Sequence, residues 1–85
     1  MGLSARDRAI LDFERNWRQL SGPKELAIRE HLHMSSSRYY ELLSALLDES
    51  DALSYDPLTV KRAQRVRTDR RRIRAEGRRA DPGPR

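Results

Sequence analysis

The stretch from Leu32 to Leu47, LHMSSSRYYELLSALL, constrains the fold of this chain more than any other. Its apolar spacing predicts that one helix ends at Leu32 and that another begins at the serines. The apolar face of the second helix is formed by Tyr39, Leu42, Leu43 and Leu46. Ser35 is the natural N-cap of that helix, with Met34 as the hydrophobic residue before it. The pattern therefore predicts two helices joined by only about three residues.

A connection of that length is typical of a helix-turn-helix motif, in which the second helix reads the major groove of DNA. Two residues depart from the commonest version of the motif. His33 stands where glycine usually makes the turn, and Arg29 stands where a small residue usually permits close packing. A plain αα-hairpin in a small bundle is the alternative interpretation.

Two further helices are predicted before this stretch. The first runs from Ser4 to about Leu20, with Ser4 as N-cap and Asp7 completing a weak capping box. Its core-facing residues are Ile10, Phe13, Trp17 and Leu20.

The second helix runs from Pro23 to about Leu32, with Gly22 as N-cap. We expect Ile28 and Leu32 to face inward. We expect Lys24, Arg29 and Glu30 to be solvated or near a phosphate.

After residue 47 the sequence predicts an acidic link, a short turn at Ala52-Leu53 and then a long helix. Asp56-Pro57 marks its start, with Asp as N-cap and Pro at the first helical position. The helix should run from Pro57 to about Arg74 and fray towards Arg79. Its early apolar residues, Leu58, Val60, Ala63 and Val66, are expected to dock on the core. Residues 80–85, rich in Pro and Gly, are predicted to be a disordered tail.

The predicted fold is therefore all-α. A compact three-helix head, residues 1–60, contains the helix-turn-helix at about 23–47, and a long basic helix covers residues 57–79.

Charge is divided unequally between the two parts. Residues 1–60 hold seven Lys/Arg against ten Asp/Glu, a balance of −3, whereas residues 61–85 hold eleven against three, a balance of +8. The cations predicted to bind DNA phosphates are Lys61, Arg62, Arg65, Arg67, Arg70, Arg71, Arg72, Arg74, Arg78 and Arg79. Arginine forms bidentate contacts with phosphate, and so one-sided a run favours a polyanionic partner over a merely solvated helix. Binding to a membrane surface is disfavoured, because large apolar residues for insertion are missing.

The outward face of the third helix supplies candidates for contacts with bases. These candidates are Ser36, Ser37, Arg38, Tyr40, Glu41 and Ser44. Hydroxyl groups can donate to or accept from base edges, Arg38 can bind guanine or a phosphate, and Glu41 can accept from cytosine. The alternative for Glu41 is an ion pair with Arg38.

Other classes of function find little support in the sequence. The chain has no cysteine, and His31 and His33 lack partners for a metal site. No nucleophile, base and phosphate-loop combination appears, so we expect neither an enzyme, nor a cofactor, nor a small-molecule substrate. No run approaches the ~20 apolar residues of a membrane span, and the N-terminal residues show no signal-peptide pattern. The expected location is the cytoplasm, at the nucleoid.

Four motifs resemble a family of small actinobacterial proteins filed as a domain of unknown function. The matching stretches are LDFERNW, GPKELAIRE, MSSSRYYELLSALLD and DALSYDPLTVKRAQRVR, which cover most of the chain. The resemblance implies a helix-turn-helix fold and DNA binding, since mycobacterial members are described as nucleoid-associated. It also implies that Arg29 is normal in this family. Functional residues carry over only to Arg38, Tyr39, Tyr40 and the basic helix.

Together these features predict a protein that binds double-stranded DNA, as a transcription regulator or a nucleoid-associated protein. Most of the affinity should come from the arginine-rich helix, and sequence preference should be weak, because phosphate contacts position without specifying. A homodimer would suit paired half-sites. The alternative is a protein-interaction module, in which the acidic head docks on the transcription machinery and the basic helix anchors it to nucleic acid.

Overall fold

The computed structural model describes the backbone of residues 2–80 and the side chains of residues 2–73. This part of the chain is all-helical and contains no strand, which confirms the predicted all-α class. The elements are α1 (Ala5–Asn16), a 3-10 turn (Trp17–Gln19), α2 (Lys24–Leu32), α3 (Ser36–Leu46), α4 (Ser50–Tyr55) and α5 (Pro57–Ala80). The predicted disordered tail, apart from Ala80, lies outside the described residues.

Three side-chain caps begin helices where the sequence predicts them. Ser4 Oγ accepts from the amide of Asp7 at 3.0 Å, and the Asp7 carboxylate accepts from the Ser4 amide, which completes the capping box. Ser35 Oγ accepts from the amide of Arg38 at 3.1 Å. Asp56 Oδ1 accepts from the amide of Thr59 at 3.3 Å. Each cap satisfies an amide that has no partner within its helix, so these starts are fixed locally.

Other boundaries differ from the prediction. The first helix ends at Asn16 and continues only as the 3-10 turn. Pro23, with extended backbone, is the N-cap of α2, so Gly22 lies outside the helix at a φ of 85°. The short turn predicted at Ala52-Leu53 is instead part of the short helix α4, because Ala52 is fully buried and anchors that segment on the core.

The turn between α2 and α3 contains residues 33–35 and has the predicted length. His33 adopts the left-handed region at a φ of 57°, and its amide bonds to the carbonyl of Arg29. A non-glycine residue therefore makes the turn that glycine makes most readily. Met34 is half-buried against the core.

The core is formed by residues from every α-helix. Its buried apolar members are Ile10, Leu11, Phe13, Ala27, Ile28, Tyr39, Leu43, Leu46, Leu47, Ala52, Val60 and Ala63. Tyr39 is its largest fully buried side chain, and its ring packs edge-to-face on Phe13 with 5.5 Å between centroids. The apolar face predicted for α3 is confirmed, with Leu42 half-buried at its margin.

Only part of α5 docks on this core as predicted. Val60 and Ala63 are buried, together with Thr59. Leu58 is 79% exposed and Val66 is 44% exposed, so the prediction that they dock was wrong. Helical spacing places Leu58 on the side of α5 away from Ala63, and Val66 at the edge of the buried face.

Polar contacts fix α5 against the end of α3. Gln64 Nε2 donates to the carbonyl of Leu47 at 2.7 Å, and Arg67 Nη1 donates to the carbonyl of Ser44 at 3.0 Å. The last carbonyls of a helix have no partner within it, so these two side chains of α5 cap α3.

Candidate nucleic-acid interface

The outward face of α3 is accessible over most of its length. Ser37, Arg38 and Glu41 are exposed, while Ser36 and Ser44 are half-buried. The guanidinium of Arg38 lies 3.6 Å from the carboxylate of Glu41, one helical turn away. Both side chains remain more than half exposed, so the pair is weak and Arg38 can exchange it for a phosphate.

Tyr40 lies at the edge of this face. It is 36% exposed, and its ring meets the Tyr39 ring edge-to-face at 5.0 Å. The ammonium of Lys24 lies 5.0 Å from the ring centroid on the inner side. The ring is therefore held in place by the protein and offers only part of its surface to a partner.

Lys24 belongs to a polar cluster inside the head, which corrects the prediction that it is solvated or near a phosphate. Its Nζ lies 2.8 Å from the Glu14 carboxylate, and both side chains are only 15% exposed. The hydroxyl of Tyr39 donates to the same carboxylate. Burial and the neighbouring Glu14 charge raise the pKa of Tyr39 far above its ordinary value. Trp17 adds a ring face 4.9 Å from the ammonium. The cluster joins α1, α2 and α3 through charge and hydrogen bonds.

Arg67, a predicted phosphate ligand, is engaged within the protein. Besides the Ser44 carbonyl, it donates to Ser44 Oγ at 3.2 Å and forms an ion pair with Asp48 at 3.0 Å. The hydrogen bond and charge of Arg67 hold the pKa of Asp48 below its ordinary value. The Arg67 side chain is 21% exposed. Its guanidinium already bonds to Ser44 and Asp48 and so attaches α5 to the end of α3.

The other described cations of α5 reach solvent. Those that are exposed are Lys61, Arg62, Arg65, Arg70, Arg71 and Arg72. Arg72 pairs with Asp69 at 3.0 Å, one turn away. Arg74, Arg78 and Arg79 lie on the α5 backbone, but their side chains are outside the described ones.

A groove of about 250 Å³ brings part of the two predicted surfaces together. On the α3 side it is lined by Tyr40, Leu43, Ser44 and Leu47, and on the α5 side by Ala63, Val66, Arg67, Arg70 and Arg71. Glu14 and Lys24 also line it. Of the residues predicted to bind DNA, the groove unites Tyr40 and Ser44 with three arginines, whereas Ser36, Ser37, Arg38 and Glu41 are not among its lining residues.

Sequence reasoning missed the residues that set this arrangement. Gln64 and Glu14 received no role, although both hold one helix against another. For Glu14 the sequence did contain a signal, because it lies one helical turn after Ile10 and directly after Phe13. A carboxylate beside an apolar stripe becomes partly buried and then requires a partner.

The fold and this groove define a small all-helical protein with a cationic edge. Residues 2–75 match the sequence profile of a family described as a protein of unknown function (DUF3263), and the chain belongs to this family. No curated protein and no solved structure gives a significant match. Among the described residues, no helix is both long and apolar enough to span a lipid bilayer.

Proposed function

We propose that this protein binds double-stranded DNA through the outward face of α3 and the cationic residues of α5 that follow Arg67. In this proposal, α2, the turn and α3 act as a helix-turn-helix, and the protein is a transcription regulator or a nucleoid-associated protein of the cytoplasm. The resemblance to a family whose mycobacterial members are described as nucleoid-associated implies the same function.

The observation that carries the proposal is the position of Arg70 and Arg71. They line the same groove as Tyr40 and Ser44, and neither forms an ion pair with an acidic side chain among residues 2–73. Exposed arginines beside a polar helix face, with no ion pair to the described acidic side chains, match what phosphate binding requires.

In this proposal α5 and α3 would make different contacts with the duplex. Arg70 and Arg71 would neutralise phosphates and supply most of the affinity, and the α3 side chains would contact the adjacent groove of the duplex. The Arg38–Glu41 pair would open, with Arg38 on guanine or a phosphate. Because Arg67 is already bound to Ser44 and Asp48, its role would be to hold α5 in register with α3 rather than to bind phosphate.

The test compares two double variants of the full chain with equal loss of charge. R70A/R71A removes two arginines of the groove lining, and R62A/R65A removes exposed arginines from residues outside the groove lining. Fluorescence anisotropy with duplex DNA at several salt concentrations gives affinity and salt slope. We expect R70A/R71A to lower the slope by about 1.8, ~0.9 for each lost phosphate contact, and R62A/R65A to change it much less.

Equal losses in the two variants would mean that binding depends on net charge alone, and the proposed face would be wrong. A second matched pair, R38A on α3 against R29A at an exposed position of α2, tests the contribution of α3 in the same way. Loss of binding only in R38A supports α3 as the contact.

The second candidate is a protein-interaction module that docks on the transcription machinery. The large exposed apolar side chains near α4 favour it, namely Leu53, Tyr55 and Leu58 on a head of net charge −3. If the full chain does not bind duplex DNA at ~100 mM salt, the protein-interaction module becomes the better candidate. The proposed phosphate contacts should still give measurable binding at that salt concentration.

A further inference from the structure

The groove between α3 and α5 has an apolar floor that duplex binding does not require. Leu43, Leu47 and Ala63 lie at its base with less than a tenth of each residue exposed, and Val66 forms one wall. Phosphate and sugar are polar and remain on the surface of a duplex, so they would contact the rim and not this floor. Concave apolar surfaces of this kind are typical of small-ligand sites.

Two arginines of the lining form no ion pair with an acidic side chain among residues 2–73. Arg70 and Arg71 line the groove and reach solvent. Arg67 and Lys24 also line it, but their charges are paired with Asp48 and Glu14. Among the described residues, Glu14 is the one acidic side chain in the lining, and its carboxylate already accepts from both Lys24 and Tyr39. The net effect at the mouth is therefore positive.

We infer that this groove binds a small organic monoanion with an apolar body, such as a medium-chain or aryl carboxylate. The apolar body lies on Leu43, Leu47 and Val66 beside the Tyr40 ring, and the carboxylate lies against Arg70 and Arg71. A volume of about 250 Å³ limits the ligand to one below ordinary drug size.

Such a ligand would occupy the arginines assigned to phosphate, and it would therefore compete with DNA. This consequence rests on the proposed DNA function, whereas the groove site itself does not. By linkage, DNA would weaken ligand binding by the same factor.

The experiment is calorimetric titration of the full chain with three probes. Octanoate carries both parts of the proposed ligand, 1-octanol carries only the apolar body, and acetate carries only the charge. We expect octanoate to bind with a dissociation constant on the order of 1 mM or lower, and both others to bind roughly tenfold more weakly or not at all. Equal binding of octanoate and 1-octanol, or no octanoate binding, would overturn the proposal.

Two matched variants locate the site. V66W places a bulky ring in the groove wall, and I73W places the same ring at an exposed position of α5 that is not among the lining residues. Both original side chains are substantially exposed, so the folded state should tolerate both changes, which circular dichroism verifies. Octanoate affinity should fall at least about fivefold in V66W only, since the ring fills the volume that the apolar body needs. Equal affinities would place the ligand elsewhere.

Competition separates this inference from the proposed function. Octanoate should lower the DNA affinity of the wild-type chain and have little effect on that of V66W. Octanoate binding without DNA binding would leave the groove site intact and refute the DNA proposal. DNA binding without octanoate binding would refute the groove site and leave the DNA proposal intact.

Discussion

The two parts of α5 differ in what they pack on, and the contrast between Arg67 in the first part and Arg70 and Arg71 in the second shows the effect on arginine. Up to Arg67 the helix has a buried face, formed by Thr59, Val60 and Ala63, and its polar side chains bond to the end of α3. From residue 68 to residue 73 no side chain is buried, and Arg70 and Arg71 are exposed. The difference lies in what the helix packs on, because a cation beside a neighbouring helix end finds carbonyl and carboxylate partners. Chemically identical residues one turn apart are thus structural in one case and available in the other.

The largest contrast is expected between two isoleucines on helices. Ile28→Ala in the core removes a fully buried side chain and should cost about 2–5 kcal/mol in the free energy of unfolding. Ile73→Ala removes the same atoms from a side chain that is 65% exposed and should change stability by less than ~0.5 kcal/mol. Urea denaturation followed by circular dichroism measures both. Similar losses would show that the second part of α5 is packed in solution.

A smaller contrast is expected between two lysines. Lys24→Ala leaves the Glu14 carboxylate half-buried without its cation and removes the contacts of the ammonium with Trp17 and Tyr40. It should cost about 1–3 kcal/mol, below the cost of a fully buried pair. Lys61→Ala, at an exposed position, should stay within ~0.5 kcal/mol. If both variants unfold at the same urea concentration, the polar cluster contributes nothing to stability.

Two arginines separated by one residue test the junction directly. Arg67→Ala removes the hydrogen bond to the Ser44 carbonyl and should cost about 1 kcal/mol. Arg65→Ala, which is exposed, should have less than half that effect. Thermal unfolding of the two variants side by side measures the difference, and a larger loss in R65A would contradict the assigned roles.

The smallest effect is a dependence on pH. Arg67 holds the pKa of Asp48 below its ordinary value, so the ionised carboxylate is favoured in the folded state. The stability from this pair is present above the ordinary pKa of Asp and is lost as the pH falls through the lowered value. NMR titration should show the Asp48 pKa returning towards the ordinary value in R67A. An unchanged pKa would mean that the ion pair does not persist in solution.

How much the sequence predicts depends on how local the cause is. Ser4, Ser35 and Asp56 act on amides within one turn, and all three helix starts were predicted correctly. The length of the turn at His33 follows from the same local pattern.

Errors appear where a distant element decides the outcome. The segment 50–55 is helical because Ala52 finds a buried position, and Lys24 is internal because Glu14, ten residues earlier, lies opposite it. Val66 lies one helical turn after the docked Ala63, but spacing alone does not reveal which edge of a stripe meets a neighbour. Leu58 lies on the other side of α5, so its apolar character alone was misleading.

In the candidate site, too, local features could be predicted and features that depend on a distant element could not. The exposure of Arg70 and Arg71 follows from the loss of the apolar stripe, which is visible in the sequence. The engagement of Arg67 and the groove beside it require α3 to end against α5, and no local pattern records that contact.

The bonds from Gln64 and Arg67 to the end of α3 also have a consequence for how the molecule opens. The last turn of α3 and the beginning of α5 complete each other, so neither can open without exposing the carbonyls or the core of the other. The amide hydrogens of α5 up to Arg67 should therefore exchange with solvent only through unfolding of the whole core. Those of residues 68–73 have no such link and should exchange through independent opening of one helix. Arg67 thus marks the boundary between two cooperative units within one continuous helix.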